Sequence, residues 1–128
     1  MATRIVWDYP KLDKLLNSPR GQVGAYLFVK GAKIREQARA QVGVDTGALK
    51  ASIHVRQGRT GPGQYVEVGS PLSHALMHHE GTKPHVITPS RAQVLRFSAG
   101  GRVVYTRKVN HPGTRPNRYL TDQLYLIK

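Results

Sequence analysis

The sequence predicts an α+β fold, in which one long amphipathic helix and a C-terminal helix pack on a mainly antiparallel β-sheet. Apolar residues between positions 19 and 42 recur at a spacing of three to four, which is typical of a helix with one buried face. Two later regions alternate apolar and polar residues around glycine-rich segments, which is typical of β-hairpins. Helices that flank a run of hairpins, rather than separate single strands, favour the α+β class.

The chain is expected to form a single domain over residues 1–128, with an N-terminal lead-in at 1–20 and an α+β core at 21–128. The lead-in contains a predicted helical turn at 10–16 and two apolar anchors, Trp7 and Tyr9. No apolar run is long enough to span a membrane, and the N-terminus lacks the apolar core of a signal peptide. We therefore expect a protein of cytosolic origin without a membrane partner.

The long helix is predicted to begin at Ser18 and Pro19, which resemble an N-cap followed by proline at the first helical position. It continues for about 20 residues, until just before Gly43. Gly24 and Gly31 weaken it relative to alanine. They would also permit close approach to a sheet or to a neighbouring subunit.

Two β-hairpins are predicted after the long helix. The paired segments are 52–57 with 65–68, and 94–98 with 102–109. The first hairpin has a long glycine- and proline-rich loop at 58–64, and the second turns at Ala99-Gly100-Gly101. The remaining predicted elements are a short helix at 71–80, a brief strand at Val86 and Ile87, and a last helix at 117–127 carrying Leu120, Leu124 and Ile127.

Positive charge is the strongest feature of the composition. The 128 residues include 20 Lys and Arg against 7 Asp and Glu, a formal net charge of +13. No acid lies between Glu80 and Asp122, whereas eight cations do: Lys83, Arg91, Arg96, Arg102, Arg107, Lys108, Arg115 and Arg118. Such a field favours a polyanion or an acidic protein surface as the partner. A solvated basic surface without a partner is an equally good interpretation.

No residue pattern predicts an enzyme. The seven acids are dispersed, and the sequence has no nucleophile elbow, phosphate-binding loop or dinucleotide-binding fingerprint. The absence of cysteine excludes disulfides and thiolate chemistry. His74 and His78 would share a helix face beside His79 and Glu80, but two converging ligands are too few for a metal site. We therefore expect no catalytic residue, no metal and no cofactor.

Nucleic-acid binding is a second class that the charge keeps open. The predicted second hairpin would place Phe97 and Tyr105 across from each other, beside Arg96 and Arg107. Exposed aromatic rings between cations are typical of surfaces that stack on bases. We favour the interpretation that both rings belong to the core of the hairpin.

A repeated motif singles out two turns. His79-Glu80-Gly81-Thr82-Lys83-Pro84 and His111-Pro112-Gly113-Thr114-Arg115-Pro116 share the pattern His-x-Gly-Thr-basic-Pro at an interval of 32 positions. Proline fixes φ and glycine permits positive φ, so both segments are predicted to be rigid cationic turns. The candidate contact residues are Gly81, Thr82, Lys83, Gly113, Thr114, Arg115 and Arg118. Turns that simply brace the sheet are an equally good interpretation.

Four segments in a fixed order resemble a known family. They are Val44-Asp45-Thr46-Gly47-Ala48-Leu49-Lys50-Ala51-Ser52-Ile53, then Val66-Glu67-Val68-Gly69-Ser70, then His79-Glu80-Gly81-Thr82, and last Pro112-Gly113-Thr114-Arg115-Pro116-Asn117-Arg118-Tyr119-Leu120 before a leucine-containing helix. Together they cover most of the chain between positions 20 and 126. This arrangement resembles a tail-component family of long-tailed double-stranded DNA bacteriophages.

The resemblance implies a virion structural protein of the head–tail junction, made in the cytoplasm of the bacterial host. Proteins of this kind form a homo-oligomeric ring, usually six-fold, that terminates or completes the tail tube and joins it to the head connector. Its partners would be the tail tube protein and the connector or stopper proteins. Lys83, Arg115 and Arg118, with the loop at 58–64, would contact an acidic partner ring or the DNA in the channel.

Two other functions remain open at this point. One is a head-to-tail stopper or adaptor ring of the same neck. The other is a small basic nucleic-acid-binding protein.

Overall fold

The computed structural model describes residues 2–61 and 63–127. Its helices are α1 (Tyr9–Asn17), α2 (Gln22–Gln41), α3 (Ala48–Ser52), α4 (Ala75–Glu80) and a C-terminal 3₁₀ helix, η1 (Thr121–Ile127). Its strands are β1 (His54–Thr60), β2 (Gly63–Gly69), β3 (His85–Ile87), β4 (Leu95–Ala99), β5 (Arg102–Thr106) and β6 (Val109–His111). In the described ranges the strands form the antiparallel pairs β1–β2, β3–β6 and β4–β5. The predicted α+β class, with a long helix and antiparallel sheets, is confirmed.

Helix α2 packs on the β1–β2 hairpin at Gly31. A Cβ atom at this position would lie 2.5 Å from Val66 Cγ1 and 3.0 Å from Val55 Cγ1. Only a residue without a side chain therefore lets the helix axis approach the sheet this closely. The predicted role of this glycine, close approach to a sheet, is confirmed.

The core lies where the C-terminal half of α2 meets α3, α4 and the segment before η1. Its buried apolar residues are Ala38, Val42, Leu49, Ile53, Ala75 and Tyr119. The Tyr119 hydroxyl donates a hydrogen bond to the Ala75 carbonyl at 3.3 Å, and burial raises the pKa of Tyr119 above its ordinary value. A donor of this kind satisfies its own polar group inside the core.

A side-chain network fastens the C-terminal segment to the end of α2. Gln123 Nε2 donates to Gln41 Oε1 at 2.7 Å, and Gln41 Nε2 donates to Asp122 Oδ2 at 2.7 Å. Asn117 Nδ2 donates to the Gln41 carbonyl at 3.1 Å, which is one of the terminal helix carbonyls that lack an intrahelical partner. The sequence predicted a helix over 117–127. The regular part instead begins at Thr121 and is a 3₁₀ helix, because the preceding residues are held by these contacts.

The predicted start of the long helix at Ser18 and Pro19 is wrong. Helix α1 continues to Asn17 and ends with Ser18 as its C-cap, while Gly21 is the N-cap of α2. Residues 18–21 are needed for the turn between the two helices, and Gly21 N–H donates to the Ser18 carbonyl at 2.9 Å.

The predicted apolar anchors of the lead-in are not buried. Trp7 is 62% exposed and Tyr9 is 70% exposed. The helical turn that follows them is present as α1, and the Asp8 side chain caps it by accepting from Lys11 N–H at 3.1 Å.

The long loop predicted at 58–64 is also wrong. Strands β1 and β2 reach Thr60 and Gly63, so that Gly61 and position 62 separate them, and position 62 lies outside the described residues. Gly58 pairs with Tyr65, whose ring lies against the glycine where a side chain would stand. An aromatic ring that covers a strand glycine in this way compensates for its missing side chain, and the pairing continues past it.

The second hairpin is present, but its second strand ends earlier than predicted, and Phe97 and Tyr105 are not paired with each other. Gly100 and Gly101 have φ values of 58° and 79°, as a two-residue hairpin turn requires. The predicted strand 102–109 is interrupted after Thr106, and its last part belongs to β6, which pairs with β3. None of the described helices is long and apolar enough to cross a membrane.

Candidate assembly surface

The two repeated turns pair with each other. Thr82 N–H donates to the Thr114 carbonyl at 3.1 Å, and Thr114 N–H donates to the Thr82 carbonyl at 3.0 Å. The two threonine hydroxyl oxygens are 3.1 Å apart. The repeated motif thus forms a reciprocal β-bridge, which we call the clasp and define as Gly81, Thr82, Gly113 and Thr114.

The glycines of the clasp are required by its geometry. Gly81 has φ 75° and Gly113 has φ 84°, a region that favours glycine. A Cβ atom at Gly81 would lie 2.6 Å from the Thr114 carbonyl oxygen, and one at Gly113 would collide with the Thr82 carbonyl oxygen. Each turn therefore accommodates the backbone of the other, which accounts for the occurrence of the same motif twice.

Histidines brace the same region. His85 and His111 are paired residues of β3 and β6, and their ring centroids are 4.9 Å apart. His111 Nδ1 accepts from Gly113 N–H at 3.0 Å. His79 is buried, with Nδ1 2.6 Å from Glu80 Oε1 and its ring edge-on to Tyr119. These histidines support the turns, and no group of His and acidic residues in the described ranges is arranged to hold a metal ion.

The three predicted contact cations lie close to the clasp in the sequence. Lys83, Arg115 and Arg118 are exposed. Lys83 and Arg115 each follow a threonine of the clasp, and Arg118 lies just before the buried Tyr119. The clasp brings together the two turns that the sequence presented separately. The assignment of these cations to a partner stays a prediction.

Residues 83–113 form an arm that the clasp closes at its base, and we call them the basic arm. All of these residues are described, and none of them is buried. Its strands pack mainly on their own sheet partners, β3 on β6 and β4 on β5. A shallow groove of about 360 Å³ separates the two pairs, with Ile87, Leu95 and Val109 in its lining.

The ion pairs among the described residues lie outside the basic arm. Outside the arm, Arg35 and Arg39 contact Glu36, Arg56 contacts Glu67 across β1–β2, and Lys11 contacts Asp8. Within the part of the chain that the structure describes, none of the six arm cations lies within ion-pair distance of a carboxylate. The arm charge is therefore not neutralised by the chain itself.

Phe97 and Tyr105 are not across from each other, as the sequence had suggested, and neither is a core residue. Phe97 pairs with Val104 and Tyr105 pairs with Arg96, which places the two rings on opposite faces of the β4–β5 hairpin. Phe97 is 39% exposed and Tyr105 is 64% exposed. The tight Gly100-Gly101 turn sets this register.

A second exposed apolar region lies on α2 and η1. An open groove of about 530 Å³ is lined by Phe28, Val29, Ala32, Lys33, Glu36, Gln37 and Leu126. Other large apolar side chains are exposed nearby in the chain: Tyr26, Leu124, Tyr125 and Ile127. Sequence periodicity did not single out this surface, because one helix pattern gives the same signal for a core face and for a subunit contact.

The whole chain exposes much more surface than a compact monomer of its mass. Its accessible area is 10,258 Å² for 14.2 kDa. A compact monomer of that mass would expose about 6,800 Å². Among the residues that the structure describes, twenty-two large apolar side chains are exposed, against six apolar residues in the core. A surface of this composition indicates a subunit whose contacts are completed by neighbouring molecules.

The segment Asp45-Thr46-Gly47-Ala48-Leu49 has a structural role. Thr46 Oγ1 accepts from Ala48 N–H at 3.3 Å, and Gly47 begins α3 with φ 83°. Leu49 and Ile53 then enter the core, and the Ser52 hydroxyl donates to the Leu49 carbonyl at 2.6 Å. The motif thus fixes the join between α2 and β1.

Comparison with known proteins identifies one family. The family described as "Bacteriophage HK97-gp10, putative tail-component" matches residues 10–78. The match extends from α1 into α4 and ends before the clasp and the basic arm. No curated protein and no solved structure matches the chain.

Proposed function

Because the chain belongs to the bacteriophage HK97-gp10 tail-component family, it is a structural protein of the phage virion, and we propose that it completes the tail. In this role, six copies of the chain form a closed ring with six-fold symmetry at the head-proximal end of the tail tube. The ring stops further growth of the tube and presents a docking surface to the head connector.

The accessible area is the observation that carries this proposal. The excess of roughly half over a compact monomer is about the surface that neighbours in a ring would cover. A head-to-tail contact between two different surfaces of the same chain closes into a ring when its rotation is a simple fraction of a turn. The apolar α2–η1 groove provides one such surface, and its occupant in this proposal is the next copy of the chain.

In this proposal a partner ring meets the subunit beside the clasp, where the contact cations are exposed. Lys83 and Arg115 occupy equivalent positions in the two turns, each directly after a threonine of the clasp and before a proline, and both are exposed. Rigid turns hold such charges in place without a large loss of entropy on binding. In the proposed role they face either an acidic partner ring or the DNA of the channel.

The test is electron microscopy of the purified protein mixed with tail tubes from particles that lack it. The proposal predicts a ring-shaped cap at one end of each tube and tubes of uniform length. Val29→Glu places a charge in the α2–η1 groove and is expected to abolish the caps, whereas Ala25→Glu, an exposed change on the same helix outside the groove lining, retains them. Bare tubes with the natural protein would exclude tail completion. Rings on the head connector alone would assign a stopper or adaptor role instead.

A further inference from the structure

The basic arm has two structurally different faces. In the β4–β5 hairpin, the half-buried residues Leu95, Val104 and Thr106 all lie on the face that carries Phe97. The opposite face carries Arg96, Ser98, Val103 and Tyr105, all of which are exposed. The first face closes the groove against β3 and β6, and Arg96 also contributes to the lining of this groove. The second face is exposed to solvent, and we call it the open face.

Cations are distributed along the whole hairpin. Arg96 is on the open face in the middle of β4 and directly opposite Tyr105. Arg102 pairs with Ala99 directly after the Gly100-Gly101 turn, so it lies at the tip of the hairpin on the face that carries Phe97. Arg107 follows the end of β5. From Arg102 to Arg107 the strand rises about 17 Å. That length corresponds to roughly five phosphates along one DNA strand.

The positive charge of the basic arm indicates which kind of partner it would bind. Residues 83–113 contain six cations and no acid. The other 97 residues also have an excess of cations, 14 against 7 acids, so a second copy of the chain would repel the arm. A polyanion is the partner that complements this charge.

We propose that the basic arm binds the backbone of double-stranded DNA without sequence preference, through Arg96, Arg102 and Arg107. A two-stranded β-ribbon has the width that the major groove of duplex DNA admits. Arginine and tyrosine side chains are among the common donors to phosphate oxygens, and the exposed Tyr105 pairs with Arg96 across the hairpin. Each phosphate that the arm neutralises releases counterions, which favours binding at low salt.

This inference stands apart from tail completion. It concerns the purified chain and free DNA, so a failure to bind DNA would leave the tail-completion proposal in place. Bare tail tubes would equally leave the DNA contact in place. In a neck ring, the same contact would hold the DNA that passes through the channel.

The experiment compares two triple variants of equal net charge. One removes the arm arginines, Arg96→Gln, Arg102→Gln and Arg107→Gln. The matched control removes three exposed cations elsewhere, Arg20→Gln, Lys50→Gln and Arg59→Gln. Fluorescence anisotropy with a short duplex of random sequence gives the affinity from about 50 to about 200 mM salt. None of the six residues is buried, and circular dichroism verifies that both variants fold.

The arm variant is expected to bind DNA at least tenfold more weakly than the natural protein. The slope of log K against log salt should fall by about 2.7, or 0.9 for each lost phosphate contact. The control variant should lose less than threefold. Equal losses in the two variants would overturn the proposal, because the effect would then come from the net charge of the whole chain.

A second titration uses poly-glutamate in place of DNA. The proposal predicts weaker binding of poly-glutamate than of the duplex at each salt concentration, since a flexible chain lacks the groove and the fixed phosphate spacing. Arm-dependent binding of poly-glutamate that is as tight as, or tighter than, that of DNA would overturn the proposal in favour of an acidic protein partner.

Discussion

At the scale of single residues, the clasp explains why glycine precedes threonine in both copies of the repeated motif. Gly113→Ala would add a strained backbone at φ 84° and a collision with the Thr82 carbonyl. We expect a loss of about 2–4 kcal/mol in the free energy of opening the arm. Hydrogen exchange of the β3 and β6 amides measures this free energy of opening.

The matched control for this change is Gly47→Ala. Gly47 has φ 83°, but a Cβ atom there would have open space around it. The control therefore carries the backbone strain without the collision, and should lose about 1 kcal/mol in urea unfolding. Equal losses at the two glycines would show that the two turns do not depend on close mutual packing.

Gly31 gives a second prediction at this scale. Gly31→Ala gains about 1 kcal/mol of helix propensity but forces its methyl group against Val66 and Val55. We expect a net loss of about 1–3 kcal/mol in the free energy of unfolding, because the collision is larger than the gain. The double variant with Val66→Ala should recover at least about 1 kcal/mol of coupling energy in a double-mutant cycle. Additive effects would contradict the packing described for α2.

At the scale of elements, the basic arm is predicted to be separable from the core. Thr82 and Thr114 are joined by hydrogen bonds, and no residue of the fully described segment 83–113 is buried. Replacing residues 83–112 by a short Gly-Ser linker, which keeps the four clasp residues, should therefore change the free energy of unfolding of the remainder by less than about 2 kcal/mol. Urea denaturation measures this change. A loss of cooperative unfolding would show that the arm supports the core.

The elements also show what the sequence could and could not predict. Helix α2 and the β4–β5 turn were predictable, because apolar spacing and a Gly-Gly turn are local signals. The β3–β6 pairing was not, since each strand has three residues and more than 20 positions separate them. The shared His-x-Gly-Thr-basic-Pro pattern at 79–84 and 111–116 was the available signal of a contact between these regions. Reading them as separate turns missed the clasp.

The candidate site was predictable to a similar extent. The cations and turns that the proposal assigns to the neck contact were visible in the sequence, because charge and turn residues can be read from it directly. The sequence could not identify which apolar residues stay exposed. Val29 and Ala38 lie on opposite faces of α2, because nine residues are two and a half helical turns. The spacing alone did not show that the rest of the chain covers the face of Ala38 and leaves Val29 exposed.

At the scale of the whole molecule, exposed area is the property that relates the fold to the function. The chain belongs to a family of phage tail components and exposes 10,258 Å², and six apolar residues are buried in the part of it that the structure describes. Subunits with this balance gain stability from association, so unfolding temperature should rise with protein concentration. The central claim is that a closed ring of copies provides this association at the end of the tail tube.

The most direct measurement is cryo-electron microscopy of the neck of the intact particle, at a resolution that traces the chain. The account predicts a ring of this chain between the tail tube and the head connector, with the α2–η1 groove covered by the adjacent copy. Density for the chain at the tail tip or in the capsid, or no density for it in the virion, would contradict the account.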